Sequence, residues 1–280
     1  MHVATEPHRD KTPKGEQMHT FDEVLHGDIT ASPDHAELLD AGGMDTLGSG
    51  LLAPSRRGLI LGAGALTFGA AMALGAGSAS AAPVLRKGSR GSAVLALQKD
   101  LIRLKYWLGA ADGSFGHLTQ QAVYAIQKAA GLTRDGVVGA RTYDAIRRGV
   151  QPRRRITSGT AFEVSKSSQL LIATSEGKLS YILNTSTGSG ERYYSGGRWK
   201  TATTPTGDFR MYSLHRSGWQ KGPLGDMYRP GYYDRGWAIH GSTSIPSYPA
   251  SHGCARISTA ASDMLWGRSW FIKGRRVLVY

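Results

Sequence analysis

Two stretches near the middle of the chain carry apolar residues at every third or fourth position. In the first stretch the apolar positions are Val94, Leu97, Leu101 and Leu104. In the second stretch they are Val123, Ile126 and Ala130. This spacing places each set on one face of a helix, so the pattern predicts two amphipathic helices. Thr119 is predicted to cap the second helix, because its hydroxyl can accept a backbone N–H at the helix N-terminus.

Two sequence repeats overlap these helices. The pattern A-V-x-A-[L/I]-Q occupies residues 93–98 and returns at residues 122–127. The pattern D-G-x-x-G-x-x-T occupies residues 112–119 and returns at residues 135–142. Asp-Gly pairs are typical of turns, and each threonine is predicted to cap the helix that follows. The repeats therefore predict a small all-α module, which we place at residues 83–149.

After residue 160 the pattern becomes typical of strands. Residues 170–174 and 179–183 are largely apolar runs joined by a short polar turn, which predicts a β-hairpin. Further strands are predicted at residues 237–240, ending in His240, and at residues 277–280. One helix is predicted, at residues 258–265. This part of the chain is therefore expected to be mainly β.

The segment before the helices has the pattern of an export signal. Arg56 and Arg57 precede an uncharged stretch that is rich in alanine and glycine, and Ala79-Ser80-Ala81 has the A-x-A form of a cleavage site. Residues 55–81 are therefore predicted to be a twin-arginine signal peptide that is cleaved after Ala81. A membrane anchor is the alternative, because the stretch is long enough to span a bilayer.

Residues 1–54 are too long and too acidic for the start of an ordinary signal peptide. One explanation is a disordered extension. The other is a misplaced start codon, since Met44 would leave only a short leader before Arg56.

Charge is distributed unevenly along the chain. The chain has 34 Lys and Arg residues, of which five lie in residues 1–81, and 21 Asp and Glu residues, of which ten lie there. Residues 82–280 therefore carry 29 basic and 11 acidic residues, a net charge of +18. A surface this basic attracts polyanions. Export makes the bacterial envelope the expected partner rather than nucleic acid, with membrane contact only transiently during export. The single cysteine excludes an intramolecular disulfide framework.

That cysteine lies in the run Ser251-His252-Gly253-Cys254-Ala255-Arg256. A thiol is mostly protonated near neutral pH, so a nucleophilic cysteine needs a base and donors for an oxyanion. His240 is predicted to be the base. Gly253 lets a substrate approach the backbone closely, so the N–H groups of Gly253 and Cys254 are predicted to be oxyanion donors.

The repeats at residues 83–149 resemble those of the three-helix peptidoglycan-binding module found on many bacterial wall enzymes. The resemblance depends on the A-V-x-A-[L/I]-Q and D-G-x-x-G-x-x-T patterns occurring together. It implies that this module binds peptidoglycan, and a plain helical linker domain is the alternative. Residues 150–160 contain Arg153-Arg154-Arg155 and are predicted to be a solvated linker.

The motif around the cysteine is similar to that of the L,D-transpeptidases. The resemblance consists of His240-Gly241 followed by S-H-G-C-x-R at residues 251–256. The run T-P-T-G-x-F at residues 204–209 resembles an upstream element of the same family and is interpreted as a structural turn. The resemblance covers residues 161–280. It implies a multidomain protein, in which the small all-α three-helix module is followed by a mainly β, β-sandwich-like catalytic domain.

The family resemblance also implies a mechanism. Cys254 would attack the carbonyl of the third-position diamino acid of a peptidoglycan stem peptide, and the terminal D-Ala would leave. The resulting thioester would pass to the side-chain amine of another stem peptide, which cross-links two third residues. His240 would act as general base and acid, oriented by the backbone carbonyl of Gly241. The implied oxyanion and substrate-binding residues are Ser251, His252, Gly253 and Arg256. No metal or organic cofactor is implied.

Several other functions use the same residues. Water as acceptor would give an L,D-carboxypeptidase, and a free D-amino acid would give an exchange enzyme. A papain-like peptidase has its cysteine before its histidine, whereas His240 precedes Cys254 here. A zinc peptidase would need ligand spacings that this sequence lacks. A non-enzymatic wall-binding protein is the last alternative, and it predicts that Cys254→Ala leaves function intact.

Overall fold

The computed structural model describes residues 82–280. The predicted signal peptide at residues 55–81 and the segment 1–54 lie outside the described residues. Within the described range, no helix has both the length and the hydropathy needed to cross a bilayer.

The helical module, residues 83–149, contains three helices. They are α1 (Ser92–Arg103), α2 (His117–Ala129) and α3 (Ala140–Arg147). Their apolar faces meet in one buried core, which includes Val94, Leu101 and Ile126. Each helix begins after a glycine, and none has a side-chain cap at its N-terminus. The predicted caps at Thr119 and Thr142 are therefore wrong, because both threonines lie inside the helices.

Gln98 explains what the first threonine does instead. The Gln98 side-chain nitrogen donates to Asp112 Oδ1 at 2.8 Å and to Thr119 Oγ1 at 3.0 Å. Its side-chain oxygen accepts the backbone N–H of Asp112 at 2.9 Å and of Gly113 at 2.8 Å. The glutamine that ends the first A-V-x-A-[L/I]-Q pattern thus holds the Asp-Gly turn and the threonine of the first D-G-x-x-G-x-x-T pattern.

Gln127 makes the same contacts one repeat later. Its side-chain nitrogen donates to Asp135 Oδ1 at 2.7 Å and to Thr142 Oγ1 at 3.4 Å. Its side-chain oxygen accepts the backbone N–H of Gly136 at 2.9 Å. The two sequence repeats therefore correspond to two copies of one hydrogen-bonded unit, each built around a buried glutamine.

The rest of the described chain is the β region, residues 161–280, and its mainly β character is confirmed. Its strands are β1 (Ala161–Ser165), β2 (Leu170–Ser175), β3 (Lys178–Asn184), β4 (Arg192–Ser195), β5 (Arg198–Thr201), β6 (Gly207–Arg210), β7 (Ser213–Leu214), β8 (Trp219–Gln220), β9 (Met227–Asp234), β10 (Trp237–Ser242), β11 (Ala255–Ser258) and β12 (Arg276–Val279). Its helix is α4 (Thr259–Gly267). The predicted hairpin corresponds to β2 and β3, which pair antiparallel.

Two sheets enclose the core of the β region. One has the strand order β3-β2-β1-β12-β6, and the other has the order β11-β10-β9-β7, with β8 also pairing with β9. Phe162 and Val277 from the first sheet share one apolar cluster with Ile239 and Ile257 from the second, and Leu265 of α4 joins it. The remaining strands, β4 and β5, form a separate hairpin.

The segment between the module and β1 is held by the β region. The backbone N–H groups of Arg155 and Ile156 donate to the Glu163 carboxylate at 2.8 and 3.0 Å. Glu163 is fully buried, and a buried carboxylate requires such donors. The Arg155 guanidinium also lies over the ring of Tyr280, 3.6 Å from its centroid. The basic run predicted a solvated linker. That prediction does not hold for the backbone of Arg155 and Ile156, which is bound to Glu163.

The helical module also packs directly on the β region. The backbone N–H of Ile182 in β3 donates to the backbone carbonyl of Lys105 at 2.8 Å. The backbone N–H of Trp107 donates to the carbonyl of Ile182 at 3.1 Å. The side chains of Leu170 and Ile182 belong to the same apolar cluster as the core of the module. Apolar and backbone contacts thus join the two regions.

Candidate active site

The pairing of β10 with β11 brings His240 and Cys254 to one surface. The two strands are parallel, and His240 is opposite Arg256 in the register. Side chains alternate between the faces of a strand. Ile239 and Ala255 are fully buried, whereas His240, Cys254 and Arg256 line the same cleft. Parallel strands need a crossover connection, which explains why the motif residues are separated by the intervening loop.

Burial keeps the thiol of Cys254 protonated. Its Sγ makes a weak contact with the carbonyl oxygen of Gly236 at 3.7 Å. Desolvation raises the pKa of Cys254, although the backbone N–H of Ala238 and the charge of Arg256 partly offset this rise. The thiol therefore needs a base to become a nucleophile at neutral pH.

His240 has the electrostatic properties of such a base. It is 4% exposed, and this burial lowers its pKa to about 4. The charge of Arg256 acts in the same direction, and the hydrogen bond to Gly241 opposes it. The imidazole is therefore neutral at pH 7. Its Nδ1 lies 2.8 Å from the carbonyl oxygen of Gly241. Because a carbonyl only accepts, Nδ1 carries the hydrogen and Nε2 keeps a free lone pair.

The residues from Ser251 to Arg256, here called the cysteine turn, are fixed by side-chain to backbone bonds. Ser251 Oγ accepts the N–H of Gly253 at 2.9 Å and donates to the carbonyl of Cys254 at 2.6 Å. The predicted use of the Gly253 N–H as an oxyanion donor does not match this partner. The bond leaves the N–H groups of His252 and Cys254 as the remaining candidates.

Gly253 is required by its surroundings. Its φ is +135°, a conformation that side chains with a Cβ rarely adopt. A Cβ at this position would lie 2.4 Å from Nε1 of Trp237 and 2.9 Å from the carbonyl oxygen of Thr203. Only glycine therefore permits the cysteine turn to pass this close to β10.

Thr204 contributes a contact that the sequence reasoning missed. Its hydroxyl donates to the carbonyl of Gly253 at 2.6 Å and accepts the N–H of Gly188 at 2.9 Å. The T-P-T-G element had been interpreted only as a turn. The resemblance of this element to one in the L,D-transpeptidases was the only sequence signal that it has a role at the site.

The ring of His252 packs on the β4–β5 hairpin, and the residue lines the same cleft as Cys254. Its exposed ring packs edge-on against Tyr193 of β4, with the ring centroids 4.8 Å apart and an angle of 71° between the planes. The side chain thus connects the cysteine turn to the β4–β5 hairpin. Any oxyanion role of His252 falls to its backbone N–H.

The cleft in front of Cys254 has a volume of about 560 Å³. The β4–β5 hairpin forms one wall, and the loop from β8 to β9 forms another. Its cationic side chains are Arg198, Lys200, Lys221, Arg235 and Arg256. Among residues 82–280, Asp226 is the only carboxylate that lines it. The cleft is therefore suited to a substrate that carries carboxylates. Of these residues, the sequence reasoning had singled out only Arg256.

Metal chemistry has no evident ligand set in this part of the chain. Among residues 82–280, no group of three or more His, Cys, Asp or Glu side chains is arranged to hold a metal ion. His240 already uses Nδ1 for a backbone carbonyl. The site thus combines a neutral thiol and a neutral imidazole that line one positively charged cleft.

Two protein families match parts of the chain. A peptidoglycan binding domain matches residues 90–146, and an L,D-transpeptidase catalytic domain matches residues 159–279. The crystal structure of an L,D-transpeptidase from Xylanimonas cellulosilytica is 50% identical and has a TM-score of 0.67. That match covers 70% of this chain and 97% of the other.

The curated relatives that match part of the chain are N-acetylmuramoyl-L-alanine amidases. The N-acetylmuramoyl-L-alanine amidase CwlL from Bacillus licheniformis is 46% identical over 71 residues, which are 25% of this chain and 20% of the amidase. The chain thus spans about a fifth of the length of the curated relatives that it matches.

Proposed function

Because this chain belongs to the L,D-transpeptidase family, we propose that it cross-links third-position diamino acids of peptidoglycan stem peptides through a thioester on Cys254. The observation that carries the proposal is the geometry of β10 and β11. These strands bring a neutral imidazole with a free Nε2 and the only thiol of the chain to one basic cleft.

The first half-reaction forms the acyl-enzyme. His240 Nε2 takes the proton of the Cys254 thiol, while Gly241 holds the Nδ1–H. The sulfur attacks the carbonyl carbon of the third residue, and the N–H groups of His252 and Cys254 receive the oxyanion. The C–N bond to D-Ala breaks, and the imidazolium gives its proton to the leaving amine. A thioester and free D-Ala are the products.

The second half-reaction uses the same base. His240 accepts a proton from the acceptor amine as its nitrogen attacks the thioester carbonyl. The C–S bond breaks, and the thiolate leaves and recovers the proton. The result is an amide between two stem peptides. The pKa of His240 supports this role, because a neutral imidazole is required at the start of each half-reaction.

The cationic residues of the cleft fit the charge of the substrate. Stem peptides carry carboxylates, and arginine binds a carboxylate through two parallel hydrogen bonds. Arg256 lies half-buried beside Cys254 on the same cleft face. We assign it to a substrate carboxylate, with Arg198 and Lys200 of the hairpin contributing long-range attraction.

The proposal includes export and binding to the cell wall. The helical module would hold the enzyme on peptidoglycan, as its family match suggests. Residues 55–81 would direct export, so the mature protein would begin at Ala82. N-terminal sequencing of the exported protein tests this, and replacement of Arg56 and Arg57 by lysine should reduce twin-arginine export. A mature chain that retains residues 55–81 would instead indicate a membrane anchor.

Intact-protein mass spectrometry tests the chemistry. The purified protein is incubated with a disaccharide-tetrapeptide, and both the protein and the small products are weighed. We expect an adduct equal to the substrate minus D-Ala, together with a cross-linked dimer. Cys254→Ala should form neither, although its melting temperature should match that of the wild type. A cross-linked dimer formed by the alanine variant would refute the thioester.

The same measurement separates the alternative functions. An adduct that yields only tripeptide and D-Ala would identify a carboxypeptidase. Incorporation of an added free D-amino acid would identify an exchange enzyme. Folded protein that binds peptidoglycan without any adduct would favour a non-enzymatic wall-binding protein.

A further inference from the structure

Lys128, near the end of α2, is the one lysine or arginine of residues 82–280 that is buried, with 4% of its surface exposed. Its ammonium donates to the backbone carbonyls of Gln169 and Thr185, both at 3.0 Å, and to the side-chain oxygen of Asn184. These three bonds use all three ammonium hydrogens. No carboxylate among the described residues forms a salt bridge with it.

Holding an unpaired cation in this position is costly. Desolvation lowers the pKa of Lys128 to about 7, and the charge of Arg134 adds to the shift. Docking of the module on the β region does not need a buried charge, because apolar side chains of similar volume commonly serve as well. What the ammonium supplies is three bonds to polar groups of the β region.

Two of these three acceptors belong to residues 184–187, here called the support segment, which begins at the end of β3. The segment is buried along its whole length. Asn184 also donates to Gln121 of α2 at 2.6 Å. The helical module therefore grips the start of the support segment with two side chains of one helix.

The support segment in turn holds the C-terminal end of the cysteine turn. Thr185 Oγ1 donates to the carbonyl of Arg256 at 2.8 Å. Ser186 and Arg256 exchange two backbone bonds, with N···O distances of 3.1 and 3.3 Å. One residue therefore separates the ammonium of Lys128 from the backbone of Arg256, because Thr185 contacts both.

The segment also holds the N-terminal end of the turn. The carbonyl of Thr187 accepts the N–H of Ser251 at 2.9 Å and the N–H of Ala250 at 3.0 Å. Gln169, whose carbonyl accepts from Lys128, binds Thr187 through both ends of its side-chain amide, at 2.6 and 2.9 Å. Cys254 and its oxyanion donors thus lie between two points that are fixed by the support segment.

We propose that Lys128 is a positioning residue of the active site, which fixes the cysteine turn from the helical module through the support segment. This inference rests on the proposed acyl transfer. It gives the helical module a part in the chemistry besides binding the wall. Deletion of the module would then impair turnover even on a soluble tetrapeptide.

The test compares Lys128→Met, which removes the ammonium at nearly constant volume, with Lys99→Met on the exposed face of α1. Lys128→Gln is the milder second variant, because it keeps two N–H donors. Each purified protein is assayed well below its melting temperature. The readouts are kcat and KM for D-Ala release, and hydrogen exchange at the amides of Ser251 and Arg256.

For Lys128→Met we expect kcat to fall by about tenfold or more with KM changed by less than about threefold, because misplaced donors impair the transition state more than binding. Exchange at the two amides should rise by about tenfold, since the bonds that protect them loosen. Lys128→Gln should lie between Lys128→Met and the wild type, and Lys99→Met should match the wild type.

A folded Lys128→Met or Lys128→Gln protein with wild-type kcat and wild-type exchange would overturn the inference. If Lys128→Met does not fold, the exchange and kcat of Lys128→Gln decide. A wild-type protein that never forms an acyl-enzyme would refute the proposed function. The exchange measurement would still decide whether Lys128 positions the turn, because it needs no substrate.

Discussion

The helical module and the cleft place buried polar side chains in opposite situations. Gln98 and Gln127 have partners for both ends of their side-chain amides. Each binds the Asp-Gly turn that follows its own helix. His240 is equally buried, yet within the described part of the chain only its Nδ1 has a partner, and Nε2 remains free. A buried polar group that is fully bonded stabilises the fold. One that keeps a free lone pair and a shifted pKa is able to take a proton.

Replacing His240 provides the sharpest test of this comparison. In His240→Gln the free basic nitrogen is lost, so the rate of acyl-enzyme formation should fall by about 10²- to 10⁴-fold. The matched control is His215→Gln, because His215 lies outside the cleft. Single-turnover release of D-Ala measures the rate. A His240→Gln protein with the wild-type rate would show that another group removes the thiol proton.

The pH dependence of stability should also distinguish the cleft from the module. The pKa of His240 is about 4 in the folded protein, against 6.5 for an unperturbed histidine. Between these values the unfolded chain binds a proton that the folded protein does not. Stability should therefore fall as the pH falls from 6.5 to 4, by roughly 3 kcal/mol from this group. Urea unfolding at several pH values measures it.

His240→Gln is the control for this effect, because it should remove this part of the pH dependence. Asp112 and Asp208 have lowered pKa values through bonds to Gln98 and Arg276, so their contributions are lost below pH 3.8, in a separate window. The acylation rate should persist at pH 5, where an unperturbed histidine would be mostly protonated. A rate that halves near pH 6.5 would contradict the low pKa of His240.

Loss of a glutamine should affect the module without affecting the chemistry. Gln98→Leu leaves the Asp112–Gly113 turn without its partner, so the free energy of unfolding should fall by about 2 kcal/mol. Gln120→Leu, on the half-exposed face of α2, should change it by less than about 0.5 kcal/mol. Chemical denaturation measures both. The acylation rate of folded Gln98→Leu should equal that of the wild type, and a large loss would mean that the unit around Gln98 also serves the cleft.

Local patterns in the sequence were enough to predict much of the fold. Apolar spacing identified α1 and α2, the hairpin of β2 and β3, and the strand that ends near His240. These features depend on neighbouring residues. Thr119 was misassigned as a cap because its true partner, Gln98, lies 21 residues away. Long-range partners of this kind leave no periodic pattern.

The part of the site that could be predicted is the part that lies in its specific motif, His240-Gly241 followed by S-H-G-C-x-R. The motif predicts Cys254 and His240 as the reacting pair, and both residues line one cleft in the structure. Their roles remain predictions until acylation is measured. The supports given by Thr204 and Lys128 were not predictable, because their contacts arise only when distant segments pack. The partner of the Gly253 N–H also emerged only from the folded turn.

Ser251 lies between the two situations, and its replacement should have the smallest effect. Its hydroxyl is fully bonded, as in the module, but it lies within the cysteine turn. Ser251→Ala frees the N–H of Gly253, so the turn should loosen and the acylation rate should fall by about tenfold, or 1.4 kcal/mol of barrier. Ser244→Ala, in the same loop with an exposed side chain, is the control. An unchanged rate for Ser251→Ala would mean that Thr204 and the support segment suffice to hold the turn. A rate increase would mean that the freed Gly253 N–H joins the oxyanion donors, as the sequence alone had predicted.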